Sequence, residues 1–204
     1  AVFVASNLKR GNYTEIAKDI IQSGTDLIFS GGEDFLIPEG TSGKFSSGGK
    51  RNDGLNLIDW AIKNGYTVVY TKDELLATSP EVKKILGVFA SRNTFNDKTE
   101  EVLDSLGLPN WSQTAPSVAE MTNFALKFFR NKGQFFLVVE EEGTDNFGNK
   151  NNANAKLSAL DRADDAIGIV INFINENPNT TLVTAADSEA GGLEVSGYEI
   201  DNLD

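Results

Sequence analysis

The chain has 204 residues, 40% of them hydrophobic, and a formal net charge of -12 from 30 acidic and 18 basic side chains. That length supports one domain with a sizeable core, and that charge disfavours a nucleic-acid or anionic-membrane partner, which Lys and Arg clusters would have to hold. With no Cys, disulfides, thiolate-bound zinc and thiol catalysis are excluded; with no His, the usual general base and the commonest zinc ligand are gone, so any metal must be held by oxygen.

The N-terminus, from Ala1 to Asn7, lacks the charged region and cleavage site of a signal peptide, and no apolar run is long enough to span a membrane. Val2 to Ala5 reads as a strand already under way. The expectation is a single α/β domain over residues 1–204, forming the middle of a larger one. Apolar strand candidates alternate with helical patterns, which predicts a mostly parallel sheet flanked by helices on both faces.

Ile16, Ala17, Ile20 and Ile21 mark a helix face ending at Gly24, and Leu27 to Phe29 follow as a strand stopped by Gly31 and Gly32. From Pro38 to Gly54 the chain is rich in Gly, Ser and charge and reads as a long, flexible surface loop. It is not a phosphate-binding loop: a lysine at position 50 would need glycine at position 44, which is Lys44, and Arg51 stands where Ser or Thr is required. Asp53 is the candidate cap of the next helix, whose face is Leu57, Ile58, Ala61 and Ile62, and Thr67 to Tyr70 form the next strand. Lys72 to Leu86 reads as two short helices leading into a strand over Gly87 to Ala90. The following stretch to Pro116 wanders, with a short helix around Glu100 to Leu106.

Ser117-Val118-Ala119-Glu120 is a capping box, so a helix starts there and carries Met121, Phe124, Ala125 and Phe128 to the core. The most informative stretch comes next. Phe135-Phe136-Leu137-Val138-Val139 reads as a strand buried on both faces and breaks into four acids within six residues: Glu140, Glu141, Glu142 and Asp145. In open α/β sheets ligands gather beyond the carboxyl ends of such strands. A polar loop from Asn146 to Asn154 is expected, then a long amphipathic helix on Leu157, Leu160, Ala163, Ile167, Val170, Ile171 and Ile174, stopped by Pro178. Thr181 to Ala186 is the last strand, ending at Asp187, Ser188, Glu189 and two glycines. Beyond Glu194 no element is expected.

Asp and Glu usually sit solvated at strand ends. Against that, a strand apolar on both faces should turn at least one of these carboxylates back over the sheet, where an unpaired charge is costly and a cation would relieve it. The Asp145 region is not an EF-hand, because Phe147 holds the third ligand position and Lys150 the place of the turn glycine. Ser188 beside Asp187 as a nucleophile lacks a histidine base, which only a metal could replace. The sequons at Asn12, Asn110 and Asn179 carry no argument in an Asn-rich chain.

In order along the chain, seven segments resemble the metal-dependent alkaline phosphatases: Asp26 to Gly32, Arg51 to Leu57, Tyr70 to Leu76, Leu86 to Ala90, Pro116 to Thr122, Val139 to Asp145, and Thr184 to Gly192. The resemblance implies hydrolysis of phosphate monoesters, a small phosphorylated substrate, an extracellular or periplasmic location and a homodimer. It also implies that Glu140 binds magnesium, that Asp145 binds a first zinc and that Asp187 binds a second. The family has His where this chain has Asn149 and Ser188, and a further His near Ala190. An oxygen-only set of Glu140, Asp145, Asp187, Asn149 and Ser188 favours magnesium, calcium or manganese, whereas the resemblance favours zinc. It further implies that the nucleophile, the phosphate-gripping Arg and a second magnesium carboxylate precede the position matching Ala1. Two alternatives remain beside the phosphomonoesterase: a phosphodiesterase or sulfatase of the same superfamily, and a non-catalytic module that holds a metal or anion.

Overall fold

A computed structural model describes residues 3–192. Three strands, β1 (Leu27–Ser30), β2 (Tyr66–Val69) and β3 (Lys84–Val88), form a parallel sheet in the order β1-β3-β2. Leu27 pairs with Ile85 on one side of β3, and Thr67 pairs with the same Ile85 on the other. Leu86 and Val88 point to one face, into a cluster with Ile21 of α1 (Tyr13–Gln22) and Leu57, Ile58 and Ala61 of α2 (Leu57–Lys63). Ile85 and Phe89 point to the other, against Leu75 of α3 (Lys72–Ala77) and Phe124 and Phe128 of α5 (Val118–Phe129). Helices therefore cover both faces, as the alternation of elements predicts. The path explains the layering: the crossover from β1 to β2 carries α2, the return to β3 carries α3, and right-handed crossovers running in opposite directions must lie on opposite faces.

Gly87 lies on the α5 side of β3. A Cβ there would come 2.3 Å from the Phe89 ring and 2.8 Å from the Phe29 ring, so the missing side chain makes room for that aromatic pair, 5.8 Å apart.

Helix α4 (Glu100–Leu106) and the capping box of α5 form where expected; in the latter, Ser117 Oγ accepts from Glu120 N at 3.2 Å and Ser117 N donates to Glu120 Oε2 at 2.9 Å. Several expectations need correction. Phe3 and Val4 lie in a turn, not a strand, while Ala1, Val2 and the region beyond Glu194 lie outside the described residues. The expected second helix before Leu86 is replaced by the start of β3 at Lys84, because pairing with two neighbouring strands decides this segment. The α2 cap is Asn56, whose Oδ1 accepts from Ile58 and Asp59 N; Asp53 instead pairs with the buried guanidinium of Arg51.

The Gly-rich loop runs over the surface but is tied down. Glu33, in the short 3-10 turn Glu33–Phe35, is buried, and its carboxylate accepts from the backbone N-H of Lys44, Phe45 and Ser46 at 2.7–2.8 Å. Arg51, also buried, donates to the carbonyls of Thr14 and Phe35 at 2.7 and 3.1 Å. Both anchors stand next to the sheet's carboxyl end, since Glu33 N bonds to Ala90 O just past β3.

The second half of the chain departs furthest from expectation. Residues 135–139 and 181–186 are extended but pair with no strand among the described residues. The first part of the polar loop expected over Asn146 to Asn154 is instead helical, within α6 (Gly143–Asn149), stabilised by burial of Phe147 against Phe95, Ala155 and Ala159, which outweighs the poor helix propensity of Asn and Gly. The long helix α7 (Ala153–Glu176) forms as expected, but its core residues are Ala155, Ala159 and Ala166. Leu157 and Leu160 are more than half exposed. Alanines are buried here because α6 and α5 pack closely on α7, and large side chains do not fit at those positions.

Glu33→Gln tests the loop anchor. It places an amide N-H against one of three backbone donors and should lower unfolding free energy by about 2 kcal/mol, as a shifted urea midpoint with unchanged slope. An unmoved midpoint would show that the loop holds without this carboxylate.

Candidate metal centre

Residues 135–139 lie along the helices with period two. The Phe135 ring stacks on Phe129 of α5 at 5.0 Å and meets Phe173 of α7 edge-on at 6.3 Å. Phe136 turns the opposite way, beside Phe3 at 5.3 Å, and is 73% exposed. The expected strand buried on both faces is therefore packed on one face only. The acids still fall at its end, and the alternation continues into them: Glu140 and Glu142 face out while Glu141 turns in.

The inward charge is not left for a cation. Glu141, 6% exposed in its side chain, forms an ion pair with Arg162 of α7 at 3.4 Å and accepts from Gly143 N at 3.0 Å. Burial nevertheless outweighs the guanidinium and holds the Glu141 carboxyl above the usual range. Arg162 in turn lies 4.5 Å from the centre of the Trp111 ring. One carboxylate does point back toward the core, as expected, and an arginine meets it.

Glu142 is also raised above the ordinary carboxylate value, first by burial and then by the charges of Glu140 and Asp145; Arg10 pulls it the other way. Arg10 precedes α1, whose Tyr13 packs on Phe35 at 5.1 Å just beyond the carboxyl end of β1. The acidic turn thus crowds negative charge within reach of Arg10.

Asp145 and Asn149 sit four residues apart on α6, where side chains share a face, and Asn149 Nδ2 donates to Asp145 Oδ1 at 3.1 Å. Asp187 and Ser188 are exposed, on an extended segment tethered just beyond them. Lys156 Nζ donates to Glu189 O and Ala190 O, each at 2.8 Å, and the Ala190-Gly191 turn lies against Gly148 of α6. A Cβ on Gly148 would come 2.1 Å from Ala190 O, and one on Gly191 would come 2.2 Å from Gly148 O; Gly191 also has φ +79°. Two backbones meet there because neither residue has a side chain.

The structure therefore gathers Glu140, Asp145 and Asn149 around one acidic turn and docks the Asp187-Ser188 segment on the same helix pair. Among the described residues no three Asp or Glu side chains converge on one point as a closed metal shell. Sequence reasoning passed over Arg10, Lys156 and Arg162; nothing near them in the chain marks their partners, which are the acidic turn for Arg10 and Arg162 and two backbone carbonyls for Lys156.

The chain matches the alkaline phosphatase family over residues 2–203. It is 30% identical over 179 residues to the repressible alkaline phosphatase of Saccharomyces cerevisiae, an alignment covering 84% of this chain and 31% of that protein. Among solved structures it is similar to Thermus thermophilus alkaline phosphatase, with a TM-score of 0.68 and 28% identity over 86% of this chain and 33% of the other. A variant of the alkaline phosphatase from the Antarctic bacterium TAB5, solved with magnesium bound, shares the fold at a TM-score of 0.62 and 22% identity, covering 87% of this chain and 44% of that one. The chain spans about a third to under half the length of these relatives.

Gly148→Ala is expected to lift the Ala190-Gly191 turn off α6 and speed amide hydrogen exchange across residues 187–192, with the β1-β3-β2 sheet unaffected. Equal exchange in both proteins would show that the docking does not depend on this close approach.

Proposed function

The chain belongs to the alkaline phosphatase family, and we propose that it supplies oxygen ligands for a divalent cation in the hydrolysis of phosphate monoesters. The observation that carries this reading is the grouping of Glu140, Glu142 and Asp145, where burial first and then the two neighbouring carboxylates raise Glu142 above its ordinary range. Like charges held together at the end of an extended segment are expensive unless a cation neutralises them. Glu140 and Asp145 are the first ligands in this reading, Asp187 joins from the tethered segment, and Asn149 and Ser188 add neutral oxygens.

This set contains no nitrogen or sulfur and is hard throughout. It fits magnesium, calcium or manganese better than zinc. When bound, such an ion supplies electrostatic stabilisation of the charge on a transferring phosphoryl group. The residues of this chain hold and orient the ligands, and none of them is assigned as the nucleophile. A small phosphorylated substrate, an extracellular or periplasmic location and a homodimeric state accompany the family reading. No described helix is long and apolar enough to cross a membrane.

Calorimetric titration of the chain with magnesium tests the ligand set. Asp187→Asn should weaken binding about tenfold or more while the melting temperature holds, since an exposed surface substitution rarely moves stability by more than about 0.5 kcal/mol. Unchanged affinity removes Asp187 from the set. A parallel assay with p-nitrophenyl phosphate, with each of magnesium, calcium, manganese and zinc and with a chelator control, should show binding without turnover by this chain. Chelator-sensitive turnover would instead make Ser188 the nucleophile.

A further inference from the structure

Away from the acidic turn, the sheet has a second place where charge and topology coincide. β1 and β3 are parallel neighbours, so their carboxyl ends lie side by side. From β1 the chain runs to α2, on the face of Leu86 and Val88; from β3 it runs by way of α4 to α5, on the face of Ile85 and Phe89. Connections that leave two adjacent strands for opposite faces part beyond the strand ends, and the crevice between them is where open α/β sheets take their ligands. The departing segments here are Gly31 to Phe35 and Ala90 to Arg92.

Backbone hydrogen bonds fix these segments to each other. Gly32 N and Glu33 N both donate to Ala90 O at 3.1 Å, Asp34 N donates to Ser91 O at 3.0 Å, and Lys50 N donates to Asp34 O at 2.7 Å. Gly31 lies so close to Arg92 O that a Cβ would overlap it. Three charged side chains are thereby set at one spot. The buried Asp34 carboxylate accepts from Arg92 Nε at 3.1 Å and meets Lys50 Nζ at 3.6 Å, both on Oδ2. One carboxylate thus answers two cations, and one positive charge is left over in a chain whose net charge is -12. Arg92 commits only Nε to Asp34, and among the described residues its two terminal nitrogens make no hydrogen bond. The side chains of Lys50 and Arg92 are 42% and 58% exposed, so a solute can reach both.

We propose that Arg92 and Lys50, fixed on Asp34 at the carboxyl ends of β1 and β3, bind a phosphate-type oxyanion. The guanidinium offers the N-H groups of its two terminal nitrogens as a fork to two oxygens of the anion, and the ammonium of Lys50 meets a third as a point charge. Asp34 is the positioning residue: its carboxylate is buried, already met by both cations, and holds the fork in one orientation. The acids elsewhere in the chain weaken the site little, because at physiological ionic strength exposed charges are screened beyond about 8 Å. None of the residues of the ligand reading above takes part, so this site stands if that reading fails.

Titration of the chain with inorganic phosphate, without divalent ions and at physiological salt, tests the site by calorimetry and by amide chemical shifts. The shifts should gather at residues 31–35, 50 and 90–92. Arg92→Lys keeps a cation for Asp34, and with it the fold, but loses the fork; it should weaken phosphate about tenfold. Lys50→Gln should weaken it about threefold. Lys83→Gln removes the same charge at the amino end of β3 and should leave binding unchanged. Phenylphosphonate, which carries the same oxygens on a substituent, separates two sources of the group: binding equal to that of phosphate identifies esters, and weaker binding identifies the free ion. The site is overturned if phosphate does not bind, if Arg92→Lys binds as tightly as the parent, or if Lys83→Gln loses as much affinity as Lys50→Gln.

Discussion

Strand β3 is the constraint from which the rest of this molecule follows. It is the central strand, hydrogen-bonded on both edges, and both of its faces are buried, Leu86 and Val88 against α1 and α2, Ile85 and Phe89 against α3 and α5. Every backbone group and side chain of a strand so placed must be satisfied by protein, which leaves no freedom in where the flanking helices lie. The absence of a side chain at Gly87 is part of the same constraint, because the Phe29-Phe89 pair fills that space. Packing on β3 fixes α5, and α5 packs along α7, which carries both acidic segments. The candidate site is thus positioned at two removes from the sheet.

Two buried charges show how polar groups are reconciled with that core. Glu33 forms no ion pair among the described residues and is satisfied by three backbone N-H groups of a Gly-rich loop. Arg51 is buried among two carbonyls and the Asp53 carboxylate, which it holds below the usual range through their side-chain hydrogen bond. A loop that composition alone marks as flexible is ordered by these two groups. Composition reports the backbone freedom of Gly and Ser, but it does not report that a carboxylate thirteen residues upstream of Ser46 will collect the loop's donors.

The elements legible in the sequence were those with a local cause. The capping box of α5, the apolar face of α1 and the sheet-and-helix alternation each follow from residues a few positions apart. The elements that were misread have distant causes. β3 begins at Lys84 because two strands pair with it there, and α6 forms because Phe147 finds a pocket lined by Phe95, Ala155 and Ala159. The buried face of α7 was placed on Leu and Ile, and the structure places it on Ala155, Ala159 and Ala166, since close helix packing selects small residues that hydropathy ranks low. For the site, the acids and their position at the end of an extended segment were legible. That at least one of the four acids would turn inward was legible too, but neither that it is Glu141 nor its partner was, because nothing local marks Arg162 as the group that answers it.

This last pairing separates the acidic turn into two kinds of carboxylate. Glu141 is spent on structure: its charge is met by Arg162 and by Gly143 N, and it has little capacity left for an ion. Among the described residues Glu140, Glu142 and Asp145 form no ion pair, and only Arg10 gives Glu142 partial relief. A sequence of three consecutive glutamates is thereby resolved by alternation into one inward anchor, Glu141, and two outward carboxylates, Glu140 and Glu142. The anchor matters as much as the ligands, because carboxylates that repel one another will splay apart unless the backbone between them is fixed. In a chain without histidine, no imidazole can contribute a neutral and directional ligand, so on the proposed reading the orientation of a hard oxygen site would come from such anchoring of the backbone. The buried ion pair of Glu141 and Arg162 is then the means by which the backbone between the neighbouring charges is held in place.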